Sequence, residues 1–293
     1  MRLRSSALPT RSHLKSIYST LKKKRNVVGC FIGRRRAKGR ACRELAVVCC
    51  VSEKPPARDL AADHRIPKRV RWLKTTRRNA VVRTDVQRCG ESALSAAVAG
   101  PGDLMMPPKS TLGFAIRHPV HGLVITTAGH SFIKDRFGDE TFVPPRAVVV
   151  TAATGVARAC RVLKAVVQRE ADYALIKVDG DCANLFEDEF VLDGIHWARP
   201  EDVDRKLFAL TNSGLKETRL RGVDGSVQVG ALEMDGLLLT DKVTIAGDSG
   251  AALVDENFRL WGLLVGFITS DSRKLSVFYS ANWVLALERA EMA

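Results

Sequence analysis

Beyond residue 110 the chain is a succession of short apolar runs separated by turn residues, and that rhythm admits few folds. The runs are Thr111–Arg117, Gly122–Thr127, Ala147–Ala152, Ala157–Gln168, Tyr173–Val178 and Lys206–Thr211. They continue as Thr218–Val223, Val227–Leu232, Gly236–Thr240, Ala251–Val254, Leu260–Ile268 and Leu275–Tyr279. Short strands at regular spacing with turn residues between them build an all-β barrel or sandwich. Val223-Asp224-Gly225-Ser226 carries a hairpin signal, Asp-Gly between strands. The stretch from Asn282 to Met292 reads as a closing helix. No internal repeat interrupts this order.

The first third of the chain differs in charge. Residues 1–90 hold 25 Lys and Arg against 5 Asp and Glu, whereas residues 91–293 hold 21 against 27. A step this steep predicts two segments with different surface roles. Residues 1–25 read as a disordered basic tail with a short helix through Leu14–Leu21. Residues 26–89 read as a small basic β-rich module, with strands at Asn26–Gly33, Glu44–Val51 and near Ala80-Val81-Val82. Residues 90–110 form a linker punctuated by Gly100-Pro101-Gly102 and Pro107-Pro108, and residues 111–293 form the main domain.

At 293 residues and 46% apolar content the chain can bury a sizeable core. No apolar run approaches the roughly 18–20 residues that span a bilayer. The seven cysteines are irregularly spaced and include no CxxC pair. That pattern predicts reduced thiols in an intracellular, cytoplasmic protein. The basic N-terminus, free of acid until Glu44, also fits an organelle transit peptide.

Chemistry concentrates at three places. Gly247-Asp248-Ser249-Gly250 is a tight turn that can hold a nucleophilic hydroxyl beside backbone N–H groups. Thr126-Thr127-Ala128-Gly129-His130 sets a histidine after an apolar strand, a candidate general base. Ala171-Asp172-Tyr173-Ala174 sets an aspartate before another strand, a candidate to orient the imidazole. Each alone is an ordinary turn or cap residue. Together, in the order His, Asp, Ser, they follow the chain order of one class of acyl-transfer enzyme.

On these segments, residues 111–291 resemble the chymotrypsin/trypsin-like serine peptidase family. Trp261-Gly262-Leu263-Leu264-Val265-Gly266 is similar to the strand that lines the family's substrate cleft. The resemblance implies two six-stranded antiparallel β-barrels of the chymotrypsin type with a C-terminal helix, behind the small basic β-rich module. It implies catalytic roles for His130, Asp172 and Ser249, and an oxyanion hole from the N–H groups of Gly247 and Ser249. It places Val243, six residues before Ser249, at the pocket floor, with Val265, Gly266 and Phe267 along its wall. A valine there does not favour Lys or Arg substrates. Asp248 is expected to shape the turn. No zymogen-style activation site lies a few tens of residues before His130, so no trypsin-like zymogen activation is expected. The segments Asn26–Gly29, Glu44–Val48, Arg65-Ile66-Pro67 and Thr84-Asp85-Val86 resemble the N-terminal extension of bacterial and plant trypsin-like proteins of the narrow-leaf type.

His118, His121 and His130 lack an acidic or cysteine partner at ligand spacing, and Asp135 with Asp139-Glu140 is an incomplete calcium pattern. No metal and no cofactor are expected. The clusters Lys22–Arg25, Arg34–Arg36 and Lys68–Trp72, within residues 22–78, form a candidate surface for nucleic acid or an acidic partner. No helix-turn-helix, zinc-finger or RNA-recognition signature accompanies them. The functional readings are a serine endopeptidase acting on protein or peptide, a catalytically silent binding platform, or a protease domain directed to nucleic acid by its basic arm.

Overall fold

The computed structural model describes residues 11–24, 26–37, 40–56, 59–73, 79–94, 103–105, 110–118, 120–133, 140–142, 146–151, 157–177, 195–229, 232–270, 273–282, 284 and 288. The chain opens with helix α1 (Arg11–Lys22). Strands β1 (Val27–Ala37), β2 (Arg40–Val51), β3 (Arg69–Leu73), β4 (Asn79–Leu94), β5 (Asp103–Met105) and β6 (Ser110–Thr111) follow. Next come β7 (Ala115–His118), β8 (Gly122–Thr127), β9 (Glu140–Phe142), β10 (Arg146–Thr151), β11 (Ala157–Gln168) and β12 (Ala171–Lys177). The last are β13 (Lys206–Thr211), β14 (Gly214–Val229), β15 (Leu232–Asp241), β16 (Ala252–Val254), β17 (Leu260–Ser270) and β18 (Arg273–Ser280). Ala281, Asn282, Val284 and Glu288 are helical, where the closing helix is expected. The loop carrying Asp135 and Asp139 lies outside the described residues.

The fold is all-β, as the spacing of the apolar runs predicts. Strands β13–β18 form a closed six-stranded ring in the order β13-β16-β17-β18-β15-β14, shut by β13 against β14. An eight-stranded sheet, β6-β5-β10-β11-β12-β8-β7 with β9 on β11, makes the other half.

The basic N-terminal strands are hydrogen-bonded into the C-terminal sheet. β1 pairs with β14, Gly29 opposite Val227, and with β2. β4 runs parallel to β2 and continues past residue 90 to pair with β17. These strands thus close a second ring that borrows β14, β15, β18 and β17 as its wall. β1 is buried on both faces, Cys30 and Ile32 in one apolar cluster and Phe31 in another. Strands covered on both faces read as continuous apolar runs, and Val47-Val48-Cys49-Cys50 in β2 is one such run.

The expected short helix at Leu14–Leu21 lies within α1: Leu14, Ile17, Tyr18 and Leu21 recur at helical spacing and bury one face against the core. Leu14, Ile17 and Leu21 each contribute about 1.5–3 kcal/mol by their burial. One local expectation changes. Asp224-Gly225 does not turn a hairpin: β14 runs through it. Asp224 takes a positive φ of 49°, and the register to both β1 and β15 shifts there. This is a β-bulge, which bends a strand held on both edges.

Candidate active site

His130 sits on a 3-10 turn, Gly129–Ser131, just beyond β8. Gly129 is the residue that lets this turn pack. A Cβ there would lie 2.2 Å from the Val166 carbonyl oxygen and 2.6 Å from that of Tyr173. The turn therefore rests directly on β11 and β12, and Asp172 near the start of β12 is brought beneath the imidazole.

Asp172 is buried and accepts two hydrogen bonds from one residue. The His130 backbone N–H donates to its Oδ1 at 2.8 Å. The His130 Nδ1 lies 2.5 Å from its Oδ2. With Nδ1 as the donor, the tautomer this carboxylate favours, Nε2 carries a lone pair toward Ser249, whose Oγ is 3.2 Å away. The three side chains expected from sequence thus meet in one line, Asp172, His130, Ser249.

The serine turn is fixed from both sides. Gly247 and Gly250 have positive φ, 98° and 89°, a region where glycine alone is unstrained. At Gly250 a Cβ would also lie 2.5 Å from both the Thr111 carbonyl oxygen and Thr127 Oγ1. Asp248 is fully buried and accepts the Ile245 N–H at 2.8 Å and the Asn212 N–H at 3.4 Å. It closes the turn on backbone donors, the shaping role expected of it. The Ala251 N–H donates to the Asp248 carbonyl at 2.9 Å, so across the trans peptide the Ser249 N–H points the opposite way.

A row of hydroxyls ties this turn to the other sheet, and sequence reading missed its members at residues 110 and 111. Ser110 Oγ and the Thr111 N–H donate to the Ser249 carbonyl at 2.7 and 2.8 Å. Thr111 Oγ1 donates to the Gly247 carbonyl at 2.8 Å. Thr127 Oγ1 donates to the Thr111 carbonyl at 2.8 Å, and Ser131 Oγ donates to Ser110 Oγ at 2.9 Å. The only signal in the sequence is that Thr126-Thr127 interrupts an apolar strand next to His130.

The expected pocket residues separate into two kinds. Val243 is half-buried and packs against the core, with its N–H 3.4 Å from Ser276 Oγ. Val265 is buried in an apolar cluster, so it offers backbone groups only. Gly266 and Phe267 lie on β17 opposite Leu94 and Ala93 of β4. Lys242 Nζ stands 4.6 Å from the Phe267 ring centre and Lys274 Nζ 5.7 Å from it. Burial first, then the charge of Lys274, lowers the Lys242 ammonium below its ordinary value.

Elsewhere, His118 and His121 stack at 4.7 Å, and His118 Nδ1 accepts the N–H groups of Val120 and His121 at 3.2 Å each. Among the described residues no group of three His, Cys, Asp or Glu could hold a metal ion. Several cations of the candidate nucleic-acid surface pair within the chain: Lys22 with Glu233, Arg34 with Asp204 at 2.9 Å, and Arg35 with Glu44 at 3.6 Å. No helix among the described residues is long and apolar enough to cross a membrane.

No protein-family model matches the chain, and no curated protein matches it. Among solved structures it is similar to a Nocardiopsis protease, at 14% identity over 66% of this chain and 97% of that one, with a TM-score of 0.48. It is similar to protease A of Thermobifida fusca, at 17% identity over 66% and 96%, TM-score 0.45. It is also similar to a Cellulomonas bogoriensis chymotrypsin, at 18% identity over 60% and 86%, TM-score 0.39. Overlaps this loose decide nothing about chemistry, which has to come from the site itself.

Proposed function

We propose that this protein is a serine endopeptidase that cleaves peptide bonds through an acyl-enzyme on Ser249. The observation that carries the reading is the line of contacts from buried Asp172 through His130 to Ser249, 2.5 Å and 3.2 Å long. Ser249 Oγ attacks the substrate carbonyl carbon while its proton passes to His130 Nε2. The imidazolium then protonates the leaving amine, and Asp172 stabilises that cation while holding the ring. A water molecule, activated by His130, releases the acyl group. The N–H groups of Gly247 and Ser249 hold the oxyanion, and losing one such donor costs about 2.7–4 kcal/mol of transition-state stabilisation. The 3.2 Å serine contact suits a site without substrate, where such bonds are long and tighten on binding.

The substrate is a protein or peptide. Val243 supports an apolar or shallow pocket, one that does not select Lys or Arg.

A fluorophosphonate probe tests the reading, because it phosphonylates only an activated serine. The wild-type chain should label at one site, and Ser249→Ala and His130→Ala should not. Folded wild-type protein that takes no label would sink the proposal.

A further inference from the structure

β17 has two edges, and the way they are shared bears on access to Ser249. One edge is held by β18 from Gly262, opposite Ser280, to Ser270, opposite Arg273. The other edge is occupied first by β16, which pairs with Leu260–Leu263. The serine turn comes next: the Gly250 N–H donates to the Leu264 carbonyl at 2.8 Å, and the Leu264 N–H donates to the Ala251 carbonyl at 2.9 Å. Beyond the turn, along the same edge, lies the end of β4. Ser92 stands opposite Ile268, Ala93 opposite Phe267 and Leu94 opposite Gly266.

The direction of β4 matters as much as its position. Its residue numbers rise toward the serine turn, from Cys89 opposite Ser270 to Leu94 opposite Gly266. Leu94 therefore pairs two residues short of Leu264, about 7 Å along the strand. A peptide laid on this edge as an added strand would use these same N–H and C=O groups on its way to the hydroxyl.

We infer that residues 92–94 are a peptide ligand held in cis, and that a substrate chain reaches Ser249 only by displacing them. This rests on the acyl-transfer reading above and adds a form of regulation to it. The tether favours the built-in strand. β4 is paired with β2 as far as Arg88, opposite Val51, and Cys89 is already opposite Ser270, so the strand is anchored up to the start of the contested edge. A ligand tethered this closely competes at an effective concentration in roughly the millimolar range. Residues 92–94 lie beyond the stretch that β2 holds and pair with β17, so a partner that peels β4 from β17 would open the site.

Two full-length variants test this, each read by hydrolysis of fluorescein-labelled casein and by labelling with a small fluorophosphonate, which needs no strand pairing. Ala93→Pro weakens the pairing, since proline has no N–H to donate to a ladder. It should hydrolyse casein about tenfold faster than the parent at an equal labelling rate. Ala93→Cys combined with Phe267→Cys sets thiols on directly opposed residues, a spacing a disulfide can bridge. Oxidised, this chain should hydrolyse casein about tenfold more slowly than after reduction, again at an equal labelling rate. The inference is overturned if the folded pair does not crosslink, or if oxidised and reduced forms cleave casein alike. It is overturned too if Ala93→Pro folds, labels and cleaves no faster. Absence of label in parent and variants alike defeats the acyl-transfer reading itself and leaves β4 a purely structural closure of the sheet.

Discussion

Asp172 takes both N–H groups that His130 presents to it, one from the backbone and one from the ring. A carboxylate this deeply buried would be costly without charge-assisted hydrogen bonds, so its partners are also the reason it is tolerated. Its charge reaches further: burial first, and Asp172 next, raise the Tyr279 phenol well above its ordinary range. Replacing Asp172 by Asn keeps the shape and offers the ring an N–H where it needs an acceptor. The imidazole is then held in the wrong tautomer, and kcat should fall about 10⁴-fold. A folded Asp172→Asn chain whose hydrolysis rate stays within tenfold of the parent would show that Asp172 does not orient His130. His130, Asp172 and Ser249 were legible in the sequence because each has a distinctive flank and because their order is informative. Ser110 and Thr111 were not, since Ser and Thr occur at every kind of turn. Their role exists only once β6 meets the serine turn.

Elements were legible where one face or both faces are apolar, and less so where a turn signal has two meanings. Asp224-Gly225 supplies a residue at positive φ, which serves a hairpin or a bulge equally well. The choice fell to the neighbours: β14 has β1 on one edge and β15 on the other, so it bends without ending. The β16–β17 connection shows a tighter local design. Burial pushes the Asp255 carboxyl up, but hydrogen bonds from the Arg259 guanidinium and from the N–H groups of Arg259 and Asn257 outweigh it. They hold the group below its ordinary value. A carboxylate depressed in the folded state contributes fully above its unfolded pKa, about 3.9, and the contribution is lost as pH falls through the folded value. Asp255→Asn should therefore lower Tm by several degrees at neutral pH and flatten its decline in acid below about pH 4. Thermal melts of both chains from pH 7 to pH 2 check this. Parallel curves would mean that the charge of Asp255 is not what holds the turn.

At the scale of the molecule, the charge step in the sequence looks like a division between two surfaces. In the fold its two sides meet. Lys22 pairs with Glu233, Arg34 with Asp204, and Lys15 with Glu170 at 2.6 Å, each a basic residue from the first third against an acid from the rest. The reason this was not legible is topological. Pairing of β1 with β14 and of β4 with β17 joins residues far apart in the chain, and no local pattern announces it.

The same topology sets a timetable. A ribosome delivers β4 first and β17 about 170 residues later, roughly 10–35 s at ordinary elongation rates. Throughout that interval the nascent N-terminal strands have unpaired edges, the kind that join to other chains. Their density of lysine and arginine would hold such edges apart by repulsion. A chain stopped at Asp241, before β16–β18, should accordingly aggregate in cell-free translation at high salt, and less so at low salt. Equal solubility in both would show that charge offers no protection. The segment made first is the last to be completed, and its excess positive charge serves it best before the fold exists.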